Sequence, residues 1–360
     1  MSLESSEGVS ASAYQALQSE SHGMVESKPC AIHDLSVRQA EERIKTFPST
    51  RYYGSKKRLL PWIYENIKHL PFRTALDAFG GSASVSLLFK AMGKQVTFND
   101  ALLSNTISAK ALLANDVLFK GEDEVRVFFS GITPRKGFIA QTFSGKFYLD
   151  EENAWLDGAI SSIAEQPKSK RAALLYCLFQ GCLQKRPFNL FHRANLSLRT
   201  TRSVNQSFGN QTTWDTHFAT LATRAYRELE AAIWRTPIDH TVLTPSDVSD
   251  IPAEYELVYL DPPYVSNSNG GDNYLRRYHF LEGLSQYEEW PQLIDHSYNN
   301  LQLIMKKHIS DWQSKKHFKD KLFSLIEKHR HSIVVLSYVA NAYLLEIIAL
   351  FTVFAIVEVI

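Results

Sequence analysis

The sequence predicts an α/β protein in which a mostly parallel sheet is flanked by helices and carries an inserted, mainly helical region. Three strand-to-turn junctions predict it. Leu257–Leu260 is an unbroken apolar run that ends in Asp261-Pro262-Pro263-Tyr264. Thr74-Ala75-Leu76 runs into Asp77-Ala78-Phe79-Gly80-Gly81-Ser82-Ala83-Ser84, after which Val85–Met92 has a helical pattern. Val96-Thr97-Phe98 ends in Asn99-Asp100. Short apolar runs without alternation read as strands buried on both faces, as in parallel sheets. Each run stops at a carboxylate, and ligands of such folds lie beyond the carboxyl ends of the strands.

Taken in order, residues 1–28 are rich in Ser and Glu and poor in large apolar groups. They read as a disordered tail within an N-terminal segment 1–47. Tyr52-Tyr53-Gly54-Ser55-Lys56 precedes a helical pattern at Leu59–Ile67; by itself it reads as a solvated basic turn. Gly80 and Gly81 allow close backbone approach, and the helix after them offers free N–H groups. The spacing is not the dinucleotide-binding Gly-x-Gly-x-x-Gly. Asp100 lies 23 positions after Asp77 (100 − 77). An acid about 20 residues beyond a glycine turn is placed to bind a ribose hydroxyl pair. Thr241–Val248 approaches the Leu257–Leu260 strand, and Asp247 within it reads equally well as a helix cap. At the Asp261–Tyr264 turn Pro262 and Pro263 fix φ and lack N–H groups, so the turn is stiff. The Asp261 carboxylate and the Pro262 carbonyl are acceptors there, and Tyr264 can lie on a planar ring. Ile333–Tyr338 reads as the next strand. The sheet-bearing domain therefore spans 48–120 and 236–338, with the insert at 121–235.

The end of the chain changes character. Val339–Ile360 is almost wholly apolar, with only Glu346 and Glu358 charged. Its length suits a membrane helix, but aromatic and basic flanks are missing, so no membrane association is expected. The closing strands of the sheet are expected to be absent there.

The chain of 360 residues has a net charge of +1, which argues against a strongly basic coat but not against a local basic face. Cys30, Cys177 and Cys182 cannot form a disulfide framework, and no Cys/His cluster has metal-ligand spacing. No secretory signal opens the sequence, so a reducing cytoplasm is the expected compartment. Residues 166–214 hold eight Lys or Arg and no Asp or Glu. At their heart Lys185-Arg186-Pro187-Phe188-Asn189-Leu190-Phe191-His192-Arg193-Ala194-Asn195-Leu196 interleaves cations, amides and aromatics. Such groups read base edges, stack or wedge, so Lys185, Arg186, Asn189, Arg193, Asn195 and Arg199 are candidates for contacting a polyanion such as a nucleic acid. The bland alternative is a solvated basic loop. A second candidate is Tyr274–Phe280 with Arg276 and Arg277, beyond a Gly/Asn/Ser loop at 267–273 that suits a closing flap.

Asp261-Pro262-Pro263-Tyr264 resembles the catalytic motif of amino-group DNA methyltransferases that use S-adenosyl-L-methionine. The Asp form is similar to the adenine-N6 side of that family, and Asn189–Asn195 resembles the Asn-x-x-x-Arg-x-Asn region of its Dam-like, alpha-type members. The resemblance covers roughly residues 48–338. It implies a Rossmann-like methyltransferase sheet with an inserted DNA-recognition region. It implies that Tyr52, Lys56, Asp77, Phe79, Gly80, Gly81, Ser82, Asp100 and Asp261 hold the cofactor, with Asp247 and Val248 at its adenine. It implies catalysis by Asp261, Pro262, Pro263 and Tyr264 on an adenine flipped out of double-stranded DNA, with no metal, and a partner restriction endonuclease that acts separately. An RNA adenine enzyme and a non-catalytic DNA-binding remnant are the alternatives. No paired-acid and Lys cluster reads as a nuclease, and a dehydrogenase would leave Asp-Pro-Pro-Tyr unexplained.

Overall fold

The computed structural model describes residues 31–116, 119–201, 211–266, 270–339 and 354–358. The expected tail at 1–28 and part of the expected flap (267–269) lie outside them. Before Ala40 only the first turns of a helix, Ala31–Thr46, are described, and Ala40–Ile360 form one compact unit.

That unit is built on a six-stranded sheet. Its strands are β1 (Thr74–Asp77), β2 (Gln95–Phe98), β3 (Thr241–Val242), β4 (Leu257–Leu260), β7 (Ile333–Val339) and β8 (Phe354–Glu358), in the order β3-β2-β1-β4-β7-β8. Two short strands, β5 (Val265–Ser266) and β6 (Gly270–Gly271), form an antiparallel hairpin just after the Asp-Pro-Pro-Tyr turn. Every pairing in the large sheet is parallel, including Ala75↔Val96, Leu76↔Val258 and Val258↔Val334. All four residues of β4 are buried, which is why that run shows no alternation. The apolar C-terminal end departs from expectation. Phe354–Glu358 adds a parallel strand to β7, pairing Leu336 with Ala355, so this edge of the sheet is extended rather than lost. Among the described residues no helix is long and apolar enough to cross a membrane.

Helices cover the sheet. They are α1 (Leu60–Ile67), α2 (Ser84–Ala91) and α3 (Leu103–Leu112) around β1 and β2. Then come α4 (Glu122–Ser130), α5 (Asp150–Ala164), α6 (Lys168–Gln184) and α7 (Phe218–Ala232) in the insert. After β4 come α8 (Tyr274–Ser285), α9 (Lys307–Gln313) and α10 (Lys315–Lys328). From Gly121 to Arg235 every regular element among the described residues is helical. On α10, Phe318, Leu322, Leu325 and Ile326 pack with Val258, Val334 and Leu336 in one core beneath the sheet. The order of the strands reverses between β1 and β4, so a crevice opens at their carboxyl ends. Asp77, Asp100 and Asp261 all stand there.

Candidate active site

The glycine turn is shaped by collisions that a side chain would cause. A Cβ on Gly80 would sit 2.1 Å from the Phe98 ring, so no other residue fits under β2. Gly81 has φ +49°, and its N–H donates to Asp100 Oδ2 at 2.9 Å. Asp100 is held further by the Leu102 N–H (2.8 Å) and Asn105 Nδ2 (3.0 Å) on Oδ1. Burial pushes its carboxyl above the usual range, and these donors only partly offset that. Asp77 is deeper still. Burial raises it to about 7, opposed by the Ser86 hydroxyl at 2.7 Å and assisted by the neighbouring charges of Asp261 and Asp100.

Lys56 opens a short 3-10 turn, Lys56–Leu59, capped by the Ser55 hydroxyl, which accepts from the Lys57 N–H. The turn carries its ammonium inward. Nζ lies 2.6 Å from Asp261 Oδ2, donates to the Gly54 carbonyl at 3.2 Å and stands 5.2 Å from the centre of the Tyr264 ring. Tyr52 stacks on Tyr278 (4.6 Å between centroids) and Tyr274 (5.7 Å), and its hydroxyl accepts from Asn105. The Asp-Pro-Pro-Tyr turn is pinned from β7. Tyr338 backs it as a wall: its hydroxyl accepts the Val265 N–H at 2.9 Å, and its ring meets Tyr264 edge-on at 5.1 Å.

Asp247 caps the 3-10 turn Val248–Asp250 through the Ser249 N–H (3.0 Å). It also accepts from Trp312 Nε1 (3.1 Å) and Lys321 Nζ (2.8 Å). Burial alone would raise its carboxyl, but Lys321, the Ser249 N–H and Trp312 outweigh burial and bring it down to about 2. Trp312 also meets Phe79 edge-on at 4.9 Å.

These groups border one cleft at the carboxyl ends of β1, β2 and β4. Tyr52, Lys56, Asp77, Phe79, Gly80, Gly81, Ser82, Asp100, Asp247, Val248 and Asp261 all line it, as does Pro263. Pro262 is buried, and Tyr264 is half-buried against Tyr338. Sequence reasoning missed Asn105, Ser86, Trp312 and Gln313, and it set Tyr274 among the DNA contacts rather than in the cleft. Tyr274 and Tyr278 carried a usable signal, two tyrosines four apart on one helix face; Trp312 carried none.

The basic insert needs correction. Lys185, Arg186 and Arg199 are buried and serve the interior rather than a phosphate backbone. Lys185 Nζ lies 2.5 Å from Glu152 Oε1, and Arg199 clasps the same carboxylate with two bonds of 2.9 Å. Arg186 donates to the carbonyls of Phe147, Leu190 and Arg193 and to Asn195 Oδ1. The window 166–214 looked uncompensated because its counter-charge, Glu152, lies outside it. Arg193 and Arg276 are exposed and Asn189 is half-buried. Arg277 pairs with Asp272 at 2.5 Å and covers the Tyr53 ring at 3.9 Å. The two expected DNA segments are joined, since the Phe191 N–H donates to the Arg277 carbonyl at 2.9 Å. His279 Nε2 lies 3.1 Å from the Phe191 carbonyl. Phe188 stands out from this region, with φ +62° and 62 % of its surface exposed. No group of His, Cys, Asp and Glu among the described residues could hold a metal ion.

A parallel sheet with this reversal, glycine turn and Asp-Pro-Pro-Tyr corner defines a Rossmann-like α/β methyltransferase. The chain belongs to the D12 class N6 adenine-specific DNA methyltransferases, whose family model matches residues 52–340. It is similar to the type II methyltransferase M2.HphI of Haemophilus parahaemolyticus, with 26% identity over 247 residues, 66% of this chain and 70% of that protein. It is also similar to the type II methyltransferase M.NlaIII of Neisseria lactamica, with 23% identity over 260 residues and the same shares of 66% and 70%. The protein is thus a site-specific DNA methyltransferase acting on adenine, and its chemistry calls for a methyl donor.

Proposed function

We propose that the donor is S-adenosyl-L-methionine and that the target adenine is turned out of the duplex into the mouth of the cleft, in a type II modification system paired with a separate endonuclease. One observation carries this reading: Lys56, from the donor side, meets Asp261, from the acceptor side, at 2.6 Å. The cleft wall suits the donor chemically. Asp100 offers a carboxylate fixed by backbone N–H groups to a ribose hydroxyl pair, Lys56 a cation to a carboxylate, and Gly80–Gly81 a surface without side chains. Asp247 and Val248 would meet the adenine edge of the donor, with Asp247 keeping part of its acceptor capacity beyond its three bonds. When bound, the donor supplies a sulfonium methyl that a nitrogen lone pair can take.

The residues of the turn prepare that lone pair. Flipping the base costs about a few kcal/mol, which binding must offset. Tyr264 would stack on the extruded ring, while the Asp261 carboxylate and the Pro262 carbonyl accept the two N6 hydrogens. Those bonds draw the nitrogen from planar conjugation toward a tetrahedral, nucleophilic form. Pro262 and Pro263 keep the acceptors fixed, so little reorganisation remains for the reaction. Arg193, Asn189, Arg276 and Arg277 remain the base- and backbone-contact candidates, and the outward Phe188 suits a wedge beside the gap left by the adenine. The test is Asp261→Ala in a tritiated-methyl assay. Transfer should vanish while donor binding falls much less; full turnover by that variant overturns the reading. Sequencing modified DNA from expressing cells gives the target site.

A further inference from the structure

With Lys185, Arg186 and Arg199 committed to the interior and Lys170 paired with Glu124 at 2.5 Å, the insert offers far less surface charge than its composition promised. A duplex still presents a dense row of phosphates on either side of the target base. The structure points to another source. Residues 306–331 hold eight Lys or Arg against three Asp or Glu, a local +5, so the rest of the chain sums to −4 (+1 minus +5). Lys306, Lys307, Lys315, Lys316 and Lys319 are all exposed. Among the described residues no carboxylate forms an ion pair with Lys306, Lys307, Lys316 or Lys319, although Lys306 also feels the more distant charge of the buried Glu282; the pairs in this stretch are His317–Asp311, Lys321–Asp247 and Arg330–Glu327.

The position of these lysines matters as much as their number. His308, Ile309, Trp312 and Gln313 of α9 line the cleft, and α9 and α10 pack along the hairpin that follows Asp-Pro-Pro-Tyr. Helix α10 starts beside Trp312, near Phe79, and ends at Lys328, just before β7 enters the sheet at Ile333. Its first turn, with Lys315 and Lys316, therefore stands at the catalytic end of the sheet. Cations there oppose the helix dipole, at a cost of a few tenths of a kcal/mol each. The sequence carries that cost twice, since Lys306 and Lys307 open α9 in the same way.

We propose that Lys306, Lys307, Lys316 and Lys319 form a phosphate-binding rim that grips the DNA backbone next to the catalytic turn, on elements separate from the recognition insert. The proposal rests on the DNA-methylating reading above. Its probe is a random-sequence duplex, because phosphate contacts carry no sequence information. The variants are the double replacements Lys306→Gln/Lys307→Gln and Lys316→Gln/Lys319→Gln. A control, Lys45→Gln/Lys120→Gln, removes the same charge elsewhere. Affinity is measured against salt concentration, with thermal melting and donor binding as checks that the fold is kept. Each rim double should weaken binding and lower the slope of log K against log salt by about one per lost contact, so by about two. The control should leave the slope in place. Unchanged slopes in both rim doubles, or an equal fall in the control, overturn the rim. Loss of slope confined to one double reduces the rim to that helix. If the wild type binds DNA through these lysines yet transfers no methyl group, the functional reading fails and the rim stands.

Discussion

Lys56 Nζ lies 2.6 Å from Asp261 Oδ2, joining the turn before α1 to the Asp-Pro-Pro-Tyr corner after β4 across 205 positions of sequence (261 − 56). The ammonium is almost wholly buried, and the carboxylate keeps some contact with solvent. Taking away one partner strands a charge, whereas taking away both leaves only a polar gap. Lys56→Ala should cost about 2–3 kcal/mol, below the full buried-pair value because Asp261 is not wholly enclosed. The double Lys56→Ala/Asp261→Asn should regain most of that in denaturant melts. Equal stability of single and double variants would show that the cost does not come from a stranded Asp261 charge.

Asp77 gives the fold a pH dependence. Its folded value of about 7 stands above the unfolded carboxylate near 3.8, so the native state binds the extra proton between the two. Stability from this group is full below about pH 4, falls as pH rises through about 7, and is then absent. Asp77→Asn keeps an acceptor for Ser86 and removes the titration. Its melting temperature should be flatter across this range and at least equal to the wild type at pH about 8. A parallel decline in both proteins would assign the effect elsewhere.

Glu282 on α8 accepts the N–H groups of Leu103 (3.0 Å) and Ser104 (2.9 Å), the start of the helix that follows Asp100. On the proposed reading of the cleft, it acts as a positioning residue for the donor side. Glu282→Ala should raise KM for the donor about tenfold, a loss of about 1.4 kcal/mol, with kcat little changed. Glu282→Gln, which retains one acceptor oxygen, should do less. A fall in kcat with KM unchanged would contradict this role.

Glu152 holds two buried cations, so Glu152→Ala should cost about 3 kcal/mol or more. Arg199→Ala should likewise lower the melting temperature while leaving the salt dependence of DNA binding intact. Arg193→Ala, at an exposed site, should do the reverse. Measuring both quantities on both variants separates interior charge from DNA-facing charge.

Phe188 sits in the left-handed region that disfavours side chains, at a cost of about 1 kcal/mol. Phe188→Gly should therefore stabilise the protein by about that amount while reducing methyl transfer to duplex DNA. On a target adenine opposite an abasic gap, where flipping is cheap, transfer should recover. Undiminished activity on ordinary duplex DNA would remove Phe188 from the mechanism.

Local sequence was enough to place the sheet and to bring the glycine turn, Asp100 and the Asp-Pro-Pro-Tyr corner to one cleft. Apolar runs buried on both faces, glycines under a ring and a carboxylate at each strand end are local signals, and parallel strands bring their ends together wherever the chain goes between them. Tertiary structure decided which charges face water. Lys185 and Arg199 look like DNA-binding residues until Glu152, 33 and 47 positions away, is folded against them. It also decided that Trp312 and Lys321 hold Asp247, that Glu282 steadies the approach to Asp100, and that the apolar end at Phe354–Glu358 extends the sheet. Burial and long-range pairing depend on what the fold brings near, and no window of sequence contains both partners.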